Sequence, residues 1–120
     1  MIPGRYRLNM QSLQAIMHSA NQKGIKVLIY IVPIRDDVTI PYDLHQYNKF
    51  KSEVELAAKN ESARFINIEG LVPAKLWGSK DSTTIGVVEE LDFMHFKAKG
   101  HELLAERLLS ELELLWSEGK

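Results

Sequence analysis

Apolar residues along the chain recur at helical spacing in three segments and run almost without interruption in two shorter ones. The first helical segment, residues 8–23, carries one apolar stripe and is followed by Gly24, which suits a left-handed helix stop. A β-branched run follows over residues 25–32 and ends at Pro33. Such a run is typical of a strand that is buried on both faces of a parallel sheet. Residues 5–8 are a candidate for one additional strand.

The rest of the chain predicts a second helix, a second strand and a third helix. Asp43 is placed to cap the second helix, and a set of apolar residues forms its inner face: Leu44, Tyr47, Phe50, Val54, Ala57 and Ala58. Residues 63–68 predict a short strand. Residues 71–77 are expected to be irregular or a single turn, and residues 78–91 a polar loop. The third helix is predicted over residues 97–116.

This order of elements predicts an α/β fold in a single domain over residues 1–120. A strand, a helix and a second strand form a right-handed crossover, which makes the two strands parallel. The expected fold is a short parallel sheet flanked by about three helices. Two parallel strands leave both sheet edges open, so we expect a further strand from the termini or from a second chain. A homo-oligomer, most simply a dimer, is therefore expected.

Composition narrows the class of protein and of site. The 120 residues are 45% hydrophobic and 26% charged, as in an average soluble domain. The net charge is −1 with no long block of one sign, which argues against nucleic acid as a partner. Absence of cysteine excludes thiolate metal sites and a cysteine nucleophile. No cofactor and no metal are expected. No signal peptide or membrane-length apolar run is visible, so the sequence as written predicts a cytoplasmic protein without membrane contact.

An aspartate and a histidine, Asp92 and His95, lie three positions apart at the end of the long loop. In open α/β sheets, functional groups gather beyond the carboxyl ends of the strands. On a turn leading into a helix, Asp92 can orient the His95 imidazole as a general base. Spacing alone favours the alternative, in which Asp92 caps a helix and His95 is a partly buried loop residue. Residues 35–37 follow the first strand and can reach the same edge, but surface turn residues are the favoured interpretation.

Residues 92–106 read D-F-M-H-F-K-A-K-G-H-E-L-L-A-E, in which the pair precedes Gly100 and the last helix. Upstream stand G-I-K-V-L-I-Y-I-V-P, then Y-N-K-F, then R-F-I-N-I. This combination resembles the C-terminal part of the SGNH (GDSL-type) hydrolase superfamily, over roughly residues 8–116. It is most similar to the bacterial branch that acts on cell-surface polymers, which includes DltD-like and alginate-acetylation-type proteins.

The resemblance implies a flavodoxin-like, three-layer fold and hydrolysis or transfer of acyl esters by a Ser-His-Asp arrangement. Carried over, His95 is the catalytic base, Asp92 is its orienting partner, and Gly100 lets the last helix pack closely. An acylated carbohydrate is then the expected substrate, and a full-length relative can be extracytoplasmic.

The sequence departs from the family in its nucleophile. The family's serine stands in a Gly-Asp-Ser motif near the N-terminus, and later blocks supply a glycine and an asparagine for the oxyanion hole; none of these motifs occurs here. We therefore expect a truncated domain that is inactive alone. Ser79, Ser82, Thr83 and Thr84 share the polar loop with Asp92, but none stands on a tight strand-to-helix elbow. Two alternatives stay open: an esterase or acetyltransferase whose serine comes from a partner chain, and a non-catalytic interaction module.

Overall fold

The computed structural model describes residues 3–37, 43–81 and 89–118, without the side chains of residues 79–81, 89–95 and 118. The helices and strands in these ranges are α1 (Pro3–Gln22), β1 (Leu28–Ile31), α2 (Leu44–Asn60), β2 (Arg64–Asn67), a 3-10 turn (Ala74–Leu76), β3 (Trp77–Asp81), β4 (Glu89–Phe96) and α3 (Ala98–Glu118). The predicted α/β class is confirmed, with a short parallel sheet and three helices.

The parallel sheet consists of β1 and β2, which pair residue for residue along their length. The strand predicted over residues 25–32 is shorter in the structure, and only Ile31 in it is buried. The expectation of a strand buried on both faces is therefore wrong for most of its length. Two strands of four residues screen each other less from solvent than the strands of a larger parallel sheet.

Two helices cover one face of this sheet, and the third covers the other. The buried cluster under α1 and α2 contains Met17, Ala57 and Ala58, with Val27, Ile29, Ala63 and Phe65 packed against it. Arg64 precedes Phe65 in β2 and therefore points to the opposite face. There its Nε donates to Glu111 Oε2 of α3 at 2.7 Å. The layers follow the order two helices, sheet, one helix.

Helix α1 begins at Pro3, so residues 5–8 are helical and their prediction as an extra strand is wrong. Proline suits the first helical position because it has no N–H to leave unpaired. Tyr6 lies one turn before Met10 and extends the apolar stripe towards the N-terminus. Its ring packs edge to face against Phe50 of α2, with 6.4 Å between centroids. Packing against α2 therefore favours a helix here.

The helix boundaries predicted at Gly24 and Asp43 are confirmed. Gly24 has φ +72°, the left-handed conformation that ends a helix without steric cost to glycine. Asp43 Oδ1 accepts a hydrogen bond from Gln46 N at 2.9 Å, which satisfies one unpaired donor at the start of α2. Helix α3 begins at Ala98, one residue after its predicted start.

The polar loop predicted over residues 78–91 is wrong in part, because β3 and β4 pair as antiparallel strands. Their register shifts between Trp77 and Ser79. Trp77 is buried and contacts Phe96 edge to face, with ring centroids 4.6 Å apart. Its Nε1 donates to the Val72 carbonyl at 3.1 Å. The ring contact holds the two strands together, and the bond to Val72 anchors the pair to the rest of the fold.

The C-terminal end of α3 is bound by Lys26, which lies just before β1. Its Nζ donates to the carbonyl oxygens of Leu115 at 2.8 Å and Trp116 at 3.1 Å. The same ammonium lies 5.7 Å from the centroid of the Trp116 ring. A cation at this position satisfies terminal carbonyls and opposes the negative end of the helix dipole.

Candidate functional site

The loops after β1 and β2 form the edge at which the sequence predicts functional groups. We call residues 33–37 and 68–73 the carboxyl rim, because they follow the carboxyl ends of the two parallel strands. Ile34 N donates to the Glu69 carbonyl oxygen at 2.9 Å, which joins the two loops. Ligand sites of open α/β sheets lie at this edge.

Arg35 connects the carboxyl rim to β3. Its Nε donates to Asp37 Oδ1 at 2.7 Å, and its Nη1 donates to the Gly78 carbonyl at 2.8 Å. The hydrogen bond from Arg35 holds the pKa of the Asp37 carboxyl below its usual range. Arg35 is only 8% exposed, so its interpretation as a surface turn residue is wrong. A buried guanidinium is tolerated here because it has hydrogen-bond acceptors.

The predicted catalytic pair lies on β4. The structure places the backbones of Asp92 and His95 in this strand, whereas the sequence predicts a turn leading into a helix. The two residues belong to the part of β4 that lies opposite Gly78, where the pairing register shifts. Their side chains are outside the part of the chain that the structure describes. The interaction of Asp92 with His95 therefore stays a prediction.

The hydroxyl candidates for a nucleophile fall largely outside the described part of the chain. Ser82, Thr83 and Thr84 are not described, and Ser79 is described only as backbone of β3. The nearest described histidine to His95 in sequence is His101, whose ring lies 5.2 Å from that of Phe96. Within residues 3–37, 43–81 and 89–118 as described, no group of three or more histidine, cysteine, aspartate or glutamate side chains could hold a metal ion.

A polar group at the rim, which the sequence did not lead us to predict, centres on Glu69; we call Tyr47, Lys51, Asn67 and Glu69 the Glu69 cluster. Glu69 Oε1 accepts from Lys51 Nζ at 2.7 Å and from Asn67 Nδ2 at 2.9 Å. Glu69 Oε2 accepts from the Tyr47 hydroxyl at 2.9 Å. The Lys51 ammonium also lies 4.3 Å from the centroid of the Tyr47 ring. The cluster ties α2 to the loop after β2.

The Glu69 carboxyl is held as an anion. Burial alone would raise its pKa, but hydrogen bonds from Lys51, Asn67 and Tyr47, together with the charge of Lys51, outweigh burial and hold the pKa below its usual range. Both carboxylate oxygens accept hydrogen bonds, so the group positions its neighbours and has no proton to donate near neutral pH. The sequence signal for this cluster is the pair of polar residues, Asn67 and Glu69, directly at the end of a strand.

Glu69→Gln is expected to lower the free energy of unfolding by about 1 kcal/mol at pH 7, because three hydrogen bonds lose their charged acceptor. A carboxyl whose pKa is lower in the folded state stabilises the fold above its unfolded pKa and loses this effect as pH falls through the folded pKa. The difference from the unchanged protein should therefore shrink below about pH 4.3. Urea unfolding at stepwise lower pH measures it, with Glu55→Gln on the exposed side of α2 as control. A difference that stays constant with pH would contradict the assignment.

The sequence matches no protein-family model, no curated protein and no solved structure. No helix in the described ranges has both the length and the apolar character needed to cross a membrane. The resemblance to SGNH hydrolases therefore remains a hypothesis that rests on the quoted sequence segments.

Proposed function

We propose that this chain is an assembling part of an SGNH-like α/β domain, inactive as a single copy, that works as a homodimer. The observation that carries the proposal is the extent of exposed apolar surface. Among the described residues, ten large apolar side chains are 47–68% exposed: Leu8, Ile16, Ile25, Val32, Leu44, Leu56, Leu109, Leu112, Leu114 and Trp116. Exposed apolar residues indicate an association surface where they form one contiguous patch.

The dimensions of the fold also support completion by another chain. The Cα radius of gyration is 17.3 Å. A compact domain of 120 residues is expected to have a radius of about 14 Å. The parallel sheet in the described ranges has two strands, which is fewer than a stable sheet usually contains. An additional chain would cover the open edges of this two-stranded sheet.

The outer surface of α3 is the part of this apolar surface with the clearest geometry. Glu111 is 5% exposed and faces the sheet. Leu109, Leu112 and Trp116 follow one another at spacings of three and four residues and are 50–68% exposed. They form a second apolar stripe on the helix, which we call the outer stripe. Pairing of two outer stripes across a two-fold axis would remove both from water.

Size-exclusion chromatography with light scattering tests the assembly. We expect a dimer for the unchanged chain and a monomer for Leu112→Asp, because a carboxylate in the middle of the outer stripe would have to be buried in the interface. Leu56→Asp is the matched control: Leu56 is 59% exposed but lies on α2, so this variant should stay dimeric. A monodisperse monomer of the unchanged chain that unfolds cooperatively would overturn the proposal.

A second candidate function is hydrolysis or transfer of acyl groups on carbohydrate, with the serine supplied by a partner chain. The observation that favours it is the hydrogen bond from Arg35 to the Gly78 carbonyl. This bond joins the carboxyl rim to the strand opposite Asp92 and His95. In this function His95 accepts the serine proton, and Asp92 orients the imidazole.

An ester hydrolysis assay on the same chromatographic fractions distinguishes the two proposed functions. If the chain is an inactive dimer, hydrolysis of p-nitrophenyl acetate should be equal for the unchanged protein and His95→Ala. If a second copy of this chain is the partner that completes the site, His95→Ala should abolish turnover of the dimer without loss of fold. His101→Ala, which removes the other nearby imidazole, should then retain turnover. Equal background hydrolysis by the unchanged protein and His95→Ala, in fractions that are monomeric, would leave the non-catalytic interaction module as the better description.

A further inference from the structure

Helices α1 and α2 enclose a groove near their N-terminal ends, on the layer opposite α3. Its volume is about 440 Å³, which is within the range of small-molecule sites. Its lining includes Tyr6, Arg7 and Met10 from α1 and Gln46, Lys49 and Glu53 from α2. None of them belongs to the carboxyl rim or to β4, so the groove is separate from the site discussed above.

Glu53, which lines the groove, already has a hydrogen-bond donor and a positively charged neighbour within the protein. The Tyr6 hydroxyl donates to Glu53 Oε2. Burial, this hydrogen bond and the nearby carboxylate raise the pKa of Tyr6 to about 12, so the phenol stays protonated. Lys49 Nζ lies 3.8 Å from Glu53 Oε1 and neutralises its charge. The negative charge of Glu53 is therefore satisfied within the protein, and Tyr6 and Met10 add an apolar surface.

Arg7 is an exposed charged residue of the groove, and it has no partner among the residues that the structure describes. Its guanidinium makes no hydrogen bond or ion pair with any described residue. A guanidinium offers five N–H donors in a planar fork that fits a carboxylate in two parallel hydrogen bonds. With Glu53 matched by Lys49, Arg7 leaves the groove with one positive charge in excess.

The position of the groove also suits a ligand site. Helix α1 leads through Gly24 into β1, and α2 follows the loop after β1. Both helices therefore run back against the direction of the strands, and their N-terminal ends lie on the side of the carboxyl rim. The partial positive charges of two helix N-termini add to that of Arg7 there. Open α/β folds bind their ligands on this side of the sheet.

We propose that this groove binds a small monocarboxylate with an apolar body, such as an arylalkanoate. The carboxylate pairs with Arg7, and the apolar body lies against Met10 and the Tyr6 ring. The volume admits a molecule of about this size, and the single uncompensated cation selects one negative charge. The site would operate whether or not Asp92 and His95 are catalytic, because it shares no residue with them.

Isothermal titration of the whole chain with 3-phenylpropionate, compared with uncharged 3-phenylpropanol, tests the site. We expect the acid to bind about tenfold more tightly or better, as charge-assisted hydrogen bonds usually provide. Arg7→Gln should abolish this preference. Arg5→Gln is the matched control, because Arg5 is an exposed arginine on the same helix that does not line the groove.

The comparison of acid with alcohol on the unchanged protein does not depend on any variant folding. Circular dichroism of both arginine variants checks that the helices are intact. Equal affinity for acid and alcohol would overturn the proposal, as would no binding of either compound. Equal loss of affinity in Arg5→Gln and Arg7→Gln would also overturn it, because it would indicate general attraction of an anion to the start of α1.

Discussion

Replacing Gly100 with alanine is expected to lower the free energy of unfolding by about 2 kcal/mol. Gly100 lies in the first turn of α3 and is buried. A Cβ added there would stand 2.6 Å from Phe96 Cβ and 3.2 Å from the Leu76 carbonyl oxygen. The Leu76 oxygen also accepts a hydrogen bond from Lys97 N at 2.7 Å, so it cannot withdraw without breaking that bond. Urea unfolding measures the change.

Gly4→Ala is the control for Gly100→Ala. Gly4 is also a helical glycine, but a Cβ added there meets nothing within 4 Å. Alanine favours helix over glycine by up to about 1 kcal/mol, so this variant should be unchanged or slightly more stable. If both variants were equally stable, the close approach of α3 to Phe96 would not be present in solution. The close packing at Gly100 that the sequence resemblance implied is found in the structure.

Met17→Ala is expected to cost about 3 kcal/mol of the free energy of unfolding. Met17 is 1% exposed and packs with Ala57 and Ala58 between α1, α2 and the sheet. Its small neighbours cannot fill the space that truncation would leave, so the cavity term adds to the lost burial. Thermal and urea unfolding both measure the loss.

The adjacent residue provides the control for Met17→Ala. Ile16 is 66% exposed, so Ile16→Ala should change the free energy of unfolding by no more than about 0.5 kcal/mol. Equal losses at both positions would show that α1 does not pack on α2 and the sheet as described. A large loss at Ile16 alone would place the opposite face of α1 in an interface.

The elements that the sequence predicted well are those whose signals are local. Asp43 stands at the start of a helix because its side chain accepts a hydrogen bond from a terminal backbone N–H. Gly24 stands at the end of a helix because glycine readily adopts the left-handed conformation found there. Both signals depend only on neighbouring residues. The parallel pairing of β1 with β2 follows from the helix that connects them. The start of α1 was misjudged because Tyr6 belongs to the apolar stripe only once Phe50 lies opposite it.

Features that depend on contacts distant in sequence were not predictable in the same way. The polar composition of residues 78–81 and 89–91 conceals the pairing of β3 with β4, which depends on the burial of Trp77 against Phe96. Burial of Arg35 depends on the Gly78 carbonyl, 43 positions later in the chain. Local composition gives no information about either contact.

The candidate site shows the same division between local and distant signals. Asp92 and His95 were found from a motif, and the structure adds their backbone position in β4. The Glu69 cluster was missed because Tyr47 and Lys51 come from α2 and meet Glu69 only in the folded chain. To predict such a cluster, polar residues at the end of a predicted strand, such as Asn67 and Glu69, should be considered together with polar residues of the helix before that strand.

The hydrogen bonds from Lys26 to the end of α3 have a consequence for folding during translation. They join residues 89 and 90 positions apart in the chain. At about 5–20 residues per second, a ribosome needs on the order of 5–20 s to synthesise the chain between them. From the synthesis of β2, which ends at Asn67, until α3 is complete, one face of the sheet remains without its helix. The nascent chain would expose β1 and β2 for seconds, long enough for a chaperone or a neighbouring nascent chain to bind them.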